Sequence, residues 1–243
     1  MKDKAYKVLA LQLGLSNKKA KELIDRGLVY VGNKKVKIAR GEVDTKTKFK
    51  ILEEPKIRVI FEDENILAVD KPAFITSEEI EKDSGYKLLH RLDKETSGVL
   101  LLVKNEEFRK KAIEAFKEQK VYKEYIAWVE GILPEETTID LPILTIKKGG
   151  RAKSKISYTK GKEAITKVIP LEVISKYTKV KTIIQTGRTH QIRVHLARID
   201  HPIVGDSLYG GKEFKRIMLH AKKIELLGYS FESEEPNEFI KFI

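Results

Sequence analysis

The chain has 243 residues, 41% of them hydrophobic and 35% charged, which is typical of a globular protein, and no apolar run approaches the ~20 residues that span a bilayer. It contains no cysteine, which excludes disulfides and cysteine-ligated zinc, and its first residues lack the apolar core of a secretory signal, so we expect a cytoplasmic protein. Lysine and arginine exceed aspartate and glutamate by 48 − 36 = 12. This excess favours a polyanionic partner such as nucleic acid, although a lysine-rich proteome would also produce it.

Residues 1–54 predict a small domain built on a helix and a hairpin. Ser16 is a good N-cap for a helix over residues 17–26, and Gly27 is a good stop just past its end. The apolar residues of this helix form one stripe, which leaves a basic face outside, made of Lys18, Lys19, Lys21 and Arg26. A strand over residues 28–31, a tight turn at Gly32-Asn33 and a return strand from Val36 complete the hairpin. The basic face could clamp RNA or could simply be solvated, and the pattern favours neither.

Glu53-Glu54-Pro55 interrupts the pattern and predicts a linker to a second domain over residues 55–243. This domain is predicted to be α+β with a mainly antiparallel sheet. Its predicted strands cover residues 58–62, 66–69, 97–103, 121–129, 165–174 and 180–186, and its predicted helices cover residues 106–119 and 189–199. The stretch KKGGRAKSK, within residues 139–157, predicts a basic and mobile loop.

Two motifs carry the chemistry: HRLDKETSG at residues 90–98 and GRTHQIRVH at residues 187–195. The first places Asp93 between Arg91 and Lys94, directly before an apolar strand. A carboxylate in such a place is costly to desolvate unless a cation meets it, and it could act as a nucleophile. Taken alone, the pattern favours a structural ion pair in a turn.

Together the two motifs resemble those of the RluA-type pseudouridine synthases, HRLDxxTSG followed by GRxHQIRVH. The stretch SNKKAKELIDRGLVYVGNKKV resembles the RNA-binding domain named after ribosomal protein S-four. The resemblance implies isomerisation of uridine in RNA, without cofactor or metal. It favours ribosomal large-subunit RNA as the substrate, with tRNA as the alternative. A non-catalytic RNA-binding or ribosome assembly protein is the rival interpretation. We expect a monomer.

The resemblance also implies site residues. Asp93 is the catalytic carboxylate, and Arg193 pairs with it or, alternatively, contacts a phosphate. Tyr125 stacks on the uracil and assists proton transfer, although an aromatic residue in a strand is more often part of a core. Arg91 fills the space of the flipped base, and Arg188 joins the RNA-binding set.

Other residues near the motifs have expected roles as well. His90 and His190 are expected to hold the motif backbone and His195 to be half-buried, since the spacing of these histidines does not suit a metal site. Residues 71–75 read KPAFI where the family often has KPAG and then Leu, and the short segment from there down to His90 is expected to rim the pocket.

Overall fold

The computed structural model describes residues 1–32, 34–52, 56–149 and 151–242, with the backbone alone for Lys148 and Arg151. Its contacts divide the chain into two units, Met1–Lys56 and Ile57–Ile243. Asn33 of the predicted turn and the predicted linker Glu53–Pro55 lie outside the described residues.

The N-terminal unit contains two helices and several short strands. These are β1 (Lys2–Lys4), α1 (Ala5–Leu13), α2 (Asn17–Asp25), β2 (Val29–Val31), β3 (Lys34–Lys35), β4 (Glu42–Asp44) and β5 (Lys50–Ile51). The helix predicted after Ser16 is confirmed: the Ser16 side chain accepts a hydrogen bond from the Lys19 backbone N–H. The return strand is Lys34–Lys35, so its predicted start at Val36 was wrong.

Helix α1 was not predicted from the sequence. Its apolar residues run nearly without interruption, and they therefore form no clear helical stripe. Leu11 and Leu13 face solvent, while Val8 and Leu9 are buried against α2 and the short strands of the unit.

The second unit is built on one large sheet. Its elements are β6 (Arg58–Glu62), β7 (Ile66–Lys71), α3 (Ser77–Ser84), β8 (Lys87–Leu88), β9 (Ser97–Val103), α4 (Glu106–Lys117), β10 (Tyr122–Glu130), β11 (Thr137–Asp140), β12 (Ile143–Lys148), β13 (Arg151–Ile156), β14 (Ile165–Ile174), β15 (Tyr177–Ile184), α5 (Gln191–Arg198), β16 (Leu219–Leu226), β17 (Tyr229–Glu232) and α6 (Asn237–Ile240). The sheet order is β11-β14-β15-β10-β16-β9-β7-β6, with β17 on β16 and β8 on β9. Strands β16 and β9 are parallel, and the remaining described pairs of this sheet are antiparallel. The predicted mainly antiparallel α+β fold is confirmed.

Strand β9 carries the end of the first motif into the middle of the sheet. All seven of its residues are buried, as expected of an apolar strand covered on both faces. Gly98 has φ 113°, and a Cβ atom there would lie 2.1 Å from the Ala221 carbonyl oxygen. The close parallel approach of β9 to β16 therefore requires glycine at the end of the motif.

Residues 147–148 and 151–155 of the stretch KKGGRAKSK form strands instead of the predicted loop, and Gly150 lies outside the described residues. The strands belong to the hairpin of β12 and β13, in which Leu144 pairs with Lys155 and Ile146 with Lys153. Composition suggested a loop, whereas residues 144–147 of β12 alternate between apolar and polar as they do on a strand. The inner face is anchored by Ser154, whose hydroxyl donates to the Thr189 carbonyl oxygen at 2.6 Å.

Candidate active site

A pocket forms where the two predicted motifs meet. It is lined by Arg91, Leu92, Asp93, Thr96, Tyr125, Ile184, Gly187, Arg188, His190, Gln191, Ile192, Arg193 and Leu219. The first motif contributes its loop before β9, and the second contributes the start of α5. The two stretches are about 100 residues apart in the chain, and the fold brings them into contact, since Arg193 and Asp93 share a hydrogen bond.

The loop that carries Asp93 is held from both sides by the segment before and at the start of α3. The buried Ser77 hydroxyl donates to the Leu92 carbonyl oxygen at 3.1 Å and accepts from the Leu92 N–H at 3.0 Å. On the other side, the Lys94 carbonyl oxygen accepts from the Phe74 N–H at 2.7 Å and from Lys71 Nζ at 3.2 Å. Asp93 is thereby fixed through both of its chain neighbours.

Residues 71–75, the first part of the segment expected to rim the pocket, therefore support the Asp93 loop and do not line the pocket. Lys71 is fully buried, and its Nζ also donates to the carbonyl oxygens of Pro72 and Ile75. Burial lowers the pKa of Lys71 to about 7, with the nearby Arg216 charge acting in the same direction and Asp93 opposing it. Phe74, at the position where the family often has glycine, has φ 72°, a conformation that disfavours residues with a Cβ atom.

Arg193 connects two carboxylates. Its Nη1 lies 3.0 Å from Asp93 Oδ2, while Nε and Nη2 form a two-pronged pair with Asp206 at 2.7 and 2.9 Å. The side chains of Arg193 and Asp206 are 6% and 1% exposed. Burial alone would lower the pKa of the Arg193 guanidinium, but the hydrogen bonds and charges of Asp206 and Asp93 raise it overall. The guanidinium therefore stays charged and fixed.

The sequence analysis did not identify Asp206 as a site residue. It lies between two glycines in VGDSLYGG, outside any periodic element. The Gly205 backbone, with φ 86°, approaches the Arg216 carbonyl so closely that a Cβ atom would lie 1.9 Å from its oxygen. An aspartate in a glycine-flanked turn was the available signal, although its partner could not be read from the chain.

Gln191 folds the turn between β15 and α5. Its side-chain oxygen accepts from the Thr186 hydroxyl at 2.8 Å and the Arg188 N–H at 3.0 Å. Its side-chain nitrogen donates to the Ile165 carbonyl oxygen and the Thr166 hydroxyl. Each hydrogen-bonding group of this buried amide thus has a partner, which gives the turn one conformation.

Lys123 stabilises the residues that directly follow β15, at the start of this turn. Its Nζ donates to the carbonyl oxygens of Gln185 and Thr186. Burial lowers the pKa of Lys123 to about 8, with the Arg188 charge contributing. Sequence reasoning did not single out this lysine.

Tyr125 lies on β10 with its ring half-buried and facing the pocket. Burial raises the pKa of its hydroxyl, and the charge of Asp93 raises it further. The hydroxyl is therefore protonated at neutral pH. Tyr125 also packs against the buried apolar cluster that contains Ile75 and Leu92, so that it belongs both to the edge of the core and to the pocket lining.

Arg91 and Arg188, both expected to bind RNA, differ in exposure, since Arg91 is exposed and Arg188 is half-buried. Arg91 is 71% exposed on its side chain, and its Nη2 lies 2.6 Å from Oε1 of Glu78, which is 49% exposed. Arg188 also lines the pocket, and its Nε donates to the Glu163 carbonyl oxygen at 2.9 Å.

The basic face predicted on α2 is partly compensated within its own helix. Lys18 is exposed. Arg26 and Lys19 lie 2.9 and 3.6 Å from the Glu22 carboxylate, and Lys21 Nζ lies 4.3 Å from the centre of the Tyr6 ring.

The three histidines of the motifs have different environments from those expected. His90 accepts a hydrogen bond from the Leu101 N–H in β9, beyond its own motif. His190 contacts side chains and not the motif backbone: Nδ1 lies 2.9 Å from the Tyr209 hydroxyl, and Nε2 lies 3.7 Å from Asp93 Oδ2. His195 is fully buried instead of half-buried and bonds to Thr166 and the Leu141 carbonyl oxygen.

Comparisons with known proteins agree with this geometry. Residues 65–198 match the family described as RNA pseudouridylate synthase. An RNA pseudouridine synthase of Helicobacter pylori strain J99 is 56% identical over 241 residues, covering 98% of this chain and 99% of that protein. Ribosomal large subunit pseudouridine synthase D of Pasteurella multocida is 28% identical over 258 residues, covering 87% of this chain and 79% of that protein.

A solved structure, human RNA pseudouridylate synthase domain containing 1, has a TM-score of 0.65 and 29% identity, covering 77% of this chain and 87% of the human chain. Within the described residues, no helix is long and apolar enough to cross a membrane. The family match spans more than half of the chain and contains most of the pocket. The protein therefore belongs to the RNA pseudouridine synthase family and is an isomerase that acts on RNA.

Proposed function

We propose that this enzyme isomerises specific uridines of ribosomal large-subunit RNA, with Asp93 as its catalytic carboxylate. The observation that carries the proposal is the pocket in which Asp93, held by Arg193, faces the same space as Tyr125. The similarity to ribosomal large subunit pseudouridine synthase D supports the choice of RNA.

The reaction breaks the bond between the sugar and a ring nitrogen of uracil, turns the base, and joins the sugar to a ring carbon. The proton on that carbon must leave, and the freed nitrogen gains one, so the product is an isomer of the substrate. Asp93 is positioned to act on the sugar or the base, and Arg193 keeps a cation at Oδ2 in a partly dry site. Tyr125 offers one ring face on which an extruded uracil can stack.

The exposed Arg91 at the pocket mouth fits the space that an extruded base leaves in the RNA stack, and Arg188 fits a neighbouring phosphate. Residues 1–54 form the RNA-binding domain of the S-four type in this proposal. Lys18, Lys19, Lys21 and Arg26 supply its basic face, with Lys18 the most exposed of them.

Mapping pseudouridines in cells with and without the gene tests the substrate and the catalytic carboxylate together. Complementation with the wild-type gene should restore one or more sites in large-subunit RNA, and Asp93→Asn should restore none while the protein still binds RNA. Sites restored only in tRNA would overturn the ribosomal assignment. Turnover of Asp93→Asn within tenfold of wild type would remove Asp93 from the mechanism.

The basic face of α2 is tested in the full chain by the double substitution Lys18→Ala/Lys21→Ala. Each lost phosphate contact should reduce the slope of log affinity against log salt by about 1. Lys110→Ala/Lys111→Ala, which removes the same charge from the exposed face of α4, is the matched control. Equal effects of the two double variants would refute a specific role of the N-terminal unit.

A further inference from the structure

His190 lies at the junction of the pocket, Asp93 and the β12–β13 hairpin. It has φ 55°, an uncommon conformation for a residue other than glycine, and it directly precedes α5. The two nitrogens of its imidazole meet different groups. Nδ1 lies 2.9 Å from the Tyr209 hydroxyl, and Nε2 lies 3.7 Å from Asp93 Oδ2.

The hydrogen bonds of Tyr209 favour one tautomer of the His190 ring. The Ser154 backbone N–H, an obligatory donor, gives its hydrogen to the Tyr209 hydroxyl oxygen at 2.8 Å. The hydroxyl retains one proton of its own, and His190 Nδ1 lies within hydrogen-bond distance to accept it. The proton of a neutral imidazole then resides on Nε2, the nitrogen that faces Asp93.

The surroundings of the ring favour this neutral form. Burial lowers the pKa of His190, and the nearby Arg193 charge acts in the same direction, while Asp93 and Asp206 oppose them. Among the described residues, the ring also meets the titratable hydroxyl of Tyr209, whose pKa is raised, chiefly by burial, so that it keeps its proton. A neutral His190 can therefore orient the Asp93 carboxylate without placing a second positive charge beside Arg193.

We propose that His190 is a positioning residue for Asp93: its Nε2–H, set by Tyr209, is a second donor to the same oxygen that Arg193 holds. The proposal rests on the catalytic role proposed above for Asp93. At 3.7 Å the contact is longer than a hydrogen bond, and a shift of about 1 Å closes it when uridine fills the pocket, since catalytic hydrogen bonds often tighten in the substrate complex. With Oδ2 held by two donors, the carboxylate has one orientation toward the base.

Two amide substitutions separate this role from a structural one. In His190→Asn the amide can occupy the place of Nδ1 near Tyr209 and tolerates the left-handed backbone, but nothing reaches Asp93. In His190→Gln the amide can extend to the place of Nε2. We expect His190→Asn to melt at or above the wild-type temperature yet to lose about 100-fold in single-turnover rate at saturating RNA. His190→Gln should stay within about tenfold of wild type, and RNA affinity should be unchanged in both.

Tyr209→Phe supplies a second readout. It keeps the ring against Arg193 but removes the hydroxyl that faces Nδ1, so the proton of a neutral His190 is no longer held on Nε2 and can move to Nδ1. The single-turnover rate should therefore fall near pH 7 and recover part of that loss at lower pH, where a protonated imidazole again presents Nε2–H to Asp93, which loss of packing alone would not produce.

The substrate for these assays is total RNA from cells that lack the gene. A His190→Asn rate within threefold of an active wild type would overturn this inference and leave the proposed function intact, as would a Tyr209→Phe rate that does not recover at lower pH. Wild-type protein that forms no pseudouridine in the large-subunit fraction would instead refute the proposed function.

Discussion

The two sides of the pocket hold their arginines in opposite ways. On the α5 side, Arg193 is buried, bound in two-pronged fashion to Asp206, and fixed against Asp93. On the rim formed by the start of α3 and the loop before Asp93, Arg91 is exposed and meets Glu78 in solvent. A buried pair is costly to break because it leaves an uncompensated charge, whereas an exposed pair contributes little and can exchange partners. The α5 side is thus built for fixed geometry and the rim for exchange with a polyanion.

Replacing Arg193 tests the fixed side, and we expect the largest effect here. Arg193→Met leaves the buried Asp206 without its cation, at a cost of about 3–5 kcal/mol in the free energy of unfolding. Because Arg193→Met could unfold, Arg193→Lys is the second variant to measure. Lysine keeps the positive charge but cannot bridge both carboxylates. We expect Arg193→Lys to fold and to turn over at least about 100-fold more slowly at saturating RNA. A normal saturated rate with weaker RNA binding would mean that Arg193 contacts a phosphate.

His90 directly precedes Arg91 at the start of the rim loop, and the pH dependence of stability tests whether this position is as firmly buried as the α5 side. Burial lowers the pKa of His90 to about 4, with the Lys123 charge contributing, against an unfolded value near 6.5. Between these values the unfolded chain binds a proton that the folded chain does not. The free energy of unfolding should therefore fall as pH drops from 6.5 to 4, by up to roughly 3 kcal/mol from this residue.

His90→Gln isolates that contribution, since glutamine can accept the Leu101 N–H hydrogen bond but does not titrate in this range. Urea unfolding at pH 7 and pH 4.5 should show a smaller loss for the variant than for wild type. His220, whose pKa burial lowers to about 3, remains in both proteins and accounts for part of the loss that persists. An equal loss in both proteins would show that His90 titrates normally.

Tyr125 lines the pocket, and its substitutions test whether it binds uracil by stacking, moves a proton with its hydroxyl, or does both. Stacking is worth about 1–3 kcal/mol per base, so Tyr125→Ala should weaken uridine capture by roughly 5- to 150-fold. Tyr125→Phe keeps the ring, so it should bind normally and turn over slowly if the hydroxyl moves a proton. Binding and single-turnover rates, measured separately, distinguish these roles. Near-normal values for both variants would make Tyr125 a core residue alone.

Local pattern predicted strands β2, β6, β7, β9, β10, β14 and β15 and helices α2, α4 and α5, because capping residues and apolar periodicity act over a few positions. It failed for α1, whose apolar residues have no helical stripe, and for the β12–β13 hairpin, whose lysines suggested a loop. The site followed the same rule. Asp93 and Arg193 could be named from their motifs, whereas Asp206 and Lys71 act through contacts that only the fold creates. The left-handed conformation of Phe74 had a sequence signal, the departure from KPAG, but the hydrogen bond to Lys94 did not.

The smallest effect belongs to the rim. Glu78→Gln should change the free energy of unfolding by less than about 1 kcal/mol, because both partners of its ion pair are largely in solvent. It also removes a negative charge from the pocket mouth and releases Arg91. RNA affinity should therefore rise a few-fold at low salt, and the gain should shrink as salt screens the rim. Glu114→Gln on α4, which breaks a comparably exposed pair with Lys117, is the matched control. If Glu114→Gln raises RNA affinity as much, or if Glu78→Gln lowers it, Arg91 does not exchange Glu78 for RNA. The rim would then not differ from the α5 side in the way described above.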